Sequence, residues 1–161
     1  MKRMLLSLFG IAFFVCLNAQ YQGMVAGKYF NISGPANFKH AMNGLSKKNG
    51  LVASFYCNVK NDTLFFYETI VVDQKLAGIN EFPIPIAGIN KTTINIVLYK
   101  DAGYTPSKCF ALYFTLNAGY QVMRTYYRLE SNDTITDEFT DTKLYFASRV
   151  MAEEFQNKYL K

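Results

Sequence analysis

The chain lacks most of the residue combinations that chemistry usually needs. It has no tryptophan, a single histidine (His40), and no Cys-x-x-Cys pair. One histidine excludes an HExxH zinc pair and any multi-histidine metal centre. Gly-x-Ser-x-Gly is absent, and so is a glycine-rich loop able to cradle phosphate. Past the first few residues the lysines and arginines are scattered, with Lys47 and Lys48 the adjacent pair, so no basic stripe is present to track a nucleic acid. No cofactor, metal, catalytic set or nucleic-acid partner is therefore expected.

What is present begins with an export pattern. Lys2 and Arg3 form a short basic region, Met4 to Leu17 an apolar run, and Asn18, Ala19 and Gln20 a polar, small-residue end. That order predicts a secretory signal peptide over residues 1–19, cut after Ala19, and a secreted or periplasmic product. The apolar run is shorter than the roughly 20 residues a membrane-spanning helix needs, so no span is expected after processing. Phe13, Phe14 and Val15 are too bulky ahead of Cys16 for lipoprotein processing, which assigns Cys16 to the discarded segment. Residues 20–161 are then one domain's length, with a net charge of about +3 once Lys2 and Arg3 are gone.

Hydrophobic periodicity divides this domain. Gln22 to Ile32 reads as a first strand interrupted by Gly23 and Gly27. Ser33-Gly34-Pro35 is a helix-start signal, and Phe38, Ala41, Met42 and Leu45 follow at helical spacing. Leu51 to Val59 and Thr63 to Val72 alternate around Lys60-Asn61-Asp62, predicting a β-hairpin. Residues 73–91 repeat Ala-Gly-Ile-Asn at Ala77–Asn80 and Ala87–Asn90. Because they also hold Pro83 and Pro85, they read as a loop or an edge segment. Thr92 to Tyr99 is a strand. Lys100 to Ser107 is a polar connection. Cys109 to Leu116 and Tyr120 to Leu129 form a second hairpin around Asn117-Ala118-Gly119. Leu144, Ala147, Met151, Phe155 and Tyr159 make one helical stripe after an acidic stretch, Glu130 to Thr142.

The expected fold is therefore α+β: a curved antiparallel sheet of about five to seven strands, a short helix near the mature N-terminus, and a long C-terminal helix as cover. This element order resembles the helix-grip folds, in which a curved sheet wraps a C-terminal helix. A lipocalin-like β-barrel with a C-terminal helix is the competing architecture, although the chain has no tryptophan for that family's Gly-x-Trp signature.

Candidate functional residues follow from the strand faces. Glu68 alternates with Leu64, Phe66, Ile70 and Val72, so it is a carboxylate on an apolar face, suited to a raised pKa or to pairing with Arg124 or Arg128. Tyr99, Tyr113, Tyr120, Arg124, Tyr126 and Arg128 fall opposite or beside the apolar sets of the later strands, and aromatic rings with guanidinium groups suit a binding surface. Cys57 and Cys109 permit one disulfide in an oxidising compartment, but they fall on unlike faces of their strands, which favours buried thiols. Thiols in strand interiors also argue against a Cys–His dyad with His40. Glu130, Asp133, Asp137, Glu138 and Asp141 lack EF-hand spacing and read as carboxylates gathered before a helix N-terminus. Asp62-Thr63-Leu64 and Asp133-Thr134-Ile135 match short glycosylation motifs at turns.

These features point first to an exported, non-enzymatic binding module. Its ligand would be an apolar small molecule held between sheet and terminal helix, or its partner an envelope protein on the Tyr/Arg face. The alternatives are an accessory envelope protein without a ligand, and a small hydrolase or isomerase using Glu68 with tyrosines.

Overall fold

A computed structural model describes residues 21–34, 36–41, 52–99 and 109–161. It is built mostly of antiparallel strands, ending in one helix. The expected signal peptide over residues 1–19 and the Lys100–Ser107 connection lie outside the described residues.

The strands are β1 (Tyr21–Val25), β2 (Lys28–Ile32), β3 (Phe38–Ala41), β4 (Val52–Lys60), β5 (Thr63–Val72), β6 (Lys75–Pro85), β7 (Asn95–Tyr99), β8 (Cys109–Thr115), β9 (Val122–Arg128), β10 (Thr134–Phe139) and β11 (Asp141–Phe146); α1 spans Arg149–Tyr159. They form three sheets: β1-β2, a six-stranded sheet in the order β10-β9-β6-β5-β4-β3, and β11-β8-β7. The architecture is α+β in the broad sense, but the strands outnumber the expected five to seven and occupy three sheets. Neither larger sheet closes on itself among the described residues, so the barrel alternative is not met.

Two-residue turns set the hairpin registers. Ala26 and Gly27 have φ of 45° and 77°, Asn61 and Asp62 of 50° and 55°, and Asp73 and Gln74 of 49° and 64°. Positive φ at both turn positions matches the right-handed twist of the flanking strands. The expected hairpin around Asn61-Asp62 forms as β4–β5, with Lys60 opposite Thr63. The interruption in the first strand is a turn as well, so Gln22 to Ile32 becomes the β1–β2 hairpin rather than one strand.

Four further expectations are corrected. The first is the helix after Ser33-Gly34-Pro35: Phe38–Ala41 is instead strand β3, paired with β4, and residues 42–50 lie outside the described residues. Cross-strand stacking decides this, since Phe38 lies on Phe55 with ring centroids 5.9 Å apart, and helical spacing in a four-residue match is weak against it. His40 is accordingly on a strand.

The second is residues 73–91, because Lys75–Pro85 is a strand with neighbours on both sides. The prolines are tolerated because β9 pairs only with Gly78–Glu81, leaving that side of Pro83 and Pro85 open. The Ile86 amide bonds back to Asp62 O at 2.9 Å, so even-numbered amides there point at β5 and the missing proline N–H groups point away.

The third is the hairpin around Asn117-Ala118-Gly119, which does not form. Both edges of β8 are taken, by β7 and β11, so the chain crosses to the other sheet and β9 inserts between β6 and β10. Backbone bonds from Leu116 to Thr140 O (3.0 Å) and from Asn117 to Gly88 O (2.8 Å) hold this crossing.

The fourth is the terminal helix, which is shorter than expected at eleven residues. Leu144 belongs to β11 opposite Leu112, and Ala147 precedes the helix, whose N-cap is Ser148 accepting from the Met151 amide at 3.2 Å. Leu144 and Phe146 alternate with period two, and Met151, Phe155 and Tyr159 continue with helical period, so one apolar stripe spans two element types.

Two cores result. The larger joins Leu64, Phe66 and Ile84 of the six-stranded sheet to Leu112, Phe114, Leu144 and Phe146 of the three-stranded sheet, and to Ala152 and Leu160 in and after the helix. The smaller packs Val25, Phe30 and Ile32 of the hairpin on Tyr56, Ile79 and Tyr127, on the opposite face of the six-stranded sheet.

Candidate functional site

Glu68 sits on the larger-core face of β5, directly opposite Asn80 on β6 and Phe55 on β4. The Asn80 amide donates to Glu68 Oε2 at 2.8 Å. Burial raises the Glu68 pKa, while that amide and the Arg124 charge pull it partly back. Of the two arginines considered for Glu68, Arg124 therefore acts on it. Arg124 does not give Glu68 a full ion pair, because its Nη2 is bound to Asp137 and its guanidinium lies 5.0 Å from the Phe139 ring centroid.

The Tyr/Arg set is divided between two sheets. Tyr99 and Tyr113 belong to the three-stranded sheet, whereas Arg124, Tyr126 and Arg128 belong to β9 of the six-stranded sheet. Tyr99 packs on Tyr145 at 5.5 Å with the Lys143 ammonium 5.3 Å from its ring centroid, and the Tyr113 hydroxyl donates to Asp141 at 3.3 Å. Arg128 pairs with Asp133 at 3.6 Å. The acidic stretch is thus mostly strand, and two of its carboxylates, Asp137 and Asp133, pair with Arg124 and Arg128 of β9 instead of preceding the helix. Among the described residues no group of three His, Cys, Asp or Glu could hold a metal ion.

Tyr120 and Tyr126 have a packing role that explains the internal repeat. A Cβ on Gly78 would run into the Tyr126 ring, and one on Gly88 into the Tyr120 ring. These are the glycines of the two Ala-Gly-Ile-Asn segments, each bare so that a tyrosine can lie on the backbone. In each segment the isoleucine is buried, Ile79 at 0% and Ile89 at 3% exposure, and the asparagine side chain makes a hydrogen bond, Asn80 to Glu68 and Asn90 from the Thr92 amide. The repeat is therefore one packing solution used twice.

Cys57 and Cys109 are not joined by a disulfide. Burial pushes the Cys57 thiol up, with the Asn37 amide pulling it partly back. A protonated, enclosed thiol is a poor nucleophile.

Sequence reasoning missed a second polar cluster, on the smaller-core face. Glu81, 3% exposed, binds the Lys28 ammonium and accepts from the Tyr127 hydroxyl at 3.4 Å. Burial alone would lower the Lys28 pKa, but Glu81 and Tyr127 outweigh it and raise it; burial and the Glu81 charge raise Tyr67. Lys28 follows the Ala26-Gly27 turn, so this pair fastens the hairpin to the sheet. The Ala26 amide adds a bond to Asn132 Oδ1 at 2.7 Å. The signal was Glu81 alternating with the apolar Ile79 and Pro83, hidden by reading the segment as a loop.

A groove of about 200 Å³ lies beside α1, lined by Asn37, Phe146, Met151, Glu154, Phe155 and Lys158. Asn37 is pinned through its backbone, its amide donating to Phe55 O at 2.7 Å and its carbonyl accepting from Ala147 at 2.8 Å. Its side-chain amide is buried on the Cys57 side. The groove lining combines apolar Phe146, Met151 and Phe155 with the charged side chains of Glu154 and Lys158. Among the described residues no helix is long and apolar enough to cross a membrane. No protein-family model, curated protein or solved structure matches the chain.

Proposed function

We propose that this chain is an exported, non-enzymatic binding module, made with a signal peptide over residues 1–19 and working as one domain over residues 20–161. It holds a small ligand with an apolar body beside its C-terminal helix. The observation that carries this reading is the groove between α1 and Asn37, where Phe146, Met151 and Phe155 supply apolar contact and Glu154 and Lys158 supply charge at the mouth. Small-molecule sites combine an apolar lining with a few placed polar groups, and the lining of this groove has both. The export half of the reading draws on Lys2, Arg3 and the Met4–Leu17 run.

Native mass spectrometry of protein purified from its own host tests both halves. The expected result is a chain beginning at Gln20 that carries an extra mass lost on denaturation, with Met151→Trp, which fills the groove, abolishing that mass. A chain beginning at Met1 would remove export. A retained mass unaffected by Met151→Trp would move the ligand to another site.

A further inference from the structure

The rim of the groove carries two opposite charges that take part in no ion pair among the described residues. Glu154 and Lys158 stand at i and i+4 on α1, a spacing that commonly forms an intrahelical pair. Arg149 and Glu153 make such a pair at 3.3 Å on the same helix, whereas Glu154 and Lys158 make none. The Lys158 ammonium instead lies 4.9 Å from the centroid of the adjacent Tyr159 ring. Below the two charges, Phe146 and Phe155 meet at a tilt with centroids 5.4 Å apart, and Met151 completes a soft apolar floor.

Resting on the binding-module reading, we infer that the groove takes a small zwitterion with an apolar or aromatic side group, the class of free α-amino acids such as phenylalanine and leucine. The ligand ammonium faces Glu154, its carboxylate faces Lys158, and its side group lies on Phe146, Met151 and Phe155. The volume of about 200 Å³, below the roughly 300 Å³ at which sites for drug-sized molecules begin, suits a compact occupant. The rim selects among small apolar molecules by mismatch. A fatty acid answers Lys158 but leaves Glu154 without a partner and adds a second negative charge beside it, and a simple amine answers Glu154 but crowds Lys158 in the same way. Exposed charges contribute little individually, so the affinity is weak, with a Kd on the order of 1 mM.

The test is titration of the processed chain with L-phenylalanine, followed by backbone amide shifts. Saturable shifts over Met151 to Lys158 are expected. N-acetylphenylalanine and phenylalaninamide, each missing one charge, should bind about two- to fivefold more weakly, the range for one exposed pair. Glu154→Gln should weaken phenylalanine by a similar factor, and the double exchange Glu154→Lys with Lys158→Glu should restore it, because a reversed zwitterion fits a reversed rim. Equal binding of all three phenylalanine forms, or tighter binding of octanoate, overturns the zwitterion inference and leaves the binding-module reading standing. No binding of any of the four, with no retained mass in the host-purified protein, overturns both.

Discussion

Glu68 and Glu81 stand on neighbouring strands of one sheet and face opposite ways, and the molecule treats them differently. Glu81 opposes Tyr67 across the β5–β6 ladder and looks toward the hairpin, where the Lys28 ammonium and the Tyr127 hydroxyl meet it. Glu68 opposes Asn80 and looks toward the larger core, where it receives one amide and the distant influence of a guanidinium already bound to Asp137. Two carboxylates of similar sequence context thus differ in whether a full opposite charge is supplied. A buried charge with a partner acts as a fastener, and one without is driven toward its neutral form. The hairpin face is accordingly a lock, and the Glu68 face is the chemically softer side of the sheet.

Breaking the lock should give the largest effect. The Glu81 side chain is 5% exposed and that of Lys28 43%, so the two partners are not equivalent. Lys28→Met leaves an enclosed carboxylate without its cation, and should cost about 3 kcal/mol, toward the low end for a broken buried pair because Lys28 is partly solvated. Glu81→Gln leaves an ammonium that can turn to water and should cost about half as much. Urea melts of both variants check the order, and amide exchange should report that β1 and β2 open first. Equal costs, or protection unchanged in the hairpin, would show that Lys28 is not the fastener.

Gly78 tests the other side with a smaller effect. Gly78→Ala sets a methyl group against the Tyr126 ring and should cost about 1–2 kcal/mol through overpacking, with Gly78→Ala plus Tyr126→Leu recovering part of the loss. Thermal melts of the single and double variants measure the recovery. The repeated Ala-Gly-Ile-Asn segments were visible in the sequence, but their meaning was not, because the covering tyrosines come 48 and 32 residues later in the chain. The same limit governs the rest of the fold. The β4–β5 hairpin was legible because its alternation and its Asn61-Asp62 turn are local. The prolines of β6 misled because whether a strand has a neighbour at Pro83 depends on where β9 ends. The Tyr/Arg set divides between two sheets because β8 and β9, adjacent in sequence, belong to different ones. Of the site itself, alternation placed Glu68 on an apolar face and left its arginine open between Arg124 and Arg128, whereas the groove needs Asn37, which no periodic pattern connects to α1.

The smallest effect, and the one that separates the two carboxylates most sharply, is expected from Glu68→Gln. The folded state raises the Glu68 pKa above its unfolded value, so the protonated form is the one the fold favours. Its contribution is fully present below the ordinary glutamate pKa of about 4.3 and is lost as pH rises through the raised value. Glutamine keeps the acceptor for the Asn80 amide and cannot ionise. The variant should therefore match the parent near pH 4 and become the more stable of the two at neutral pH, the gap opening across the intervening range. Urea midpoints measured at several pH values between those limits decide it. A gap of constant size would mean that the Asn80 amide and Arg124 already hold Glu68 as a satisfied carboxylate, making this face as locked as the one beneath the hairpin.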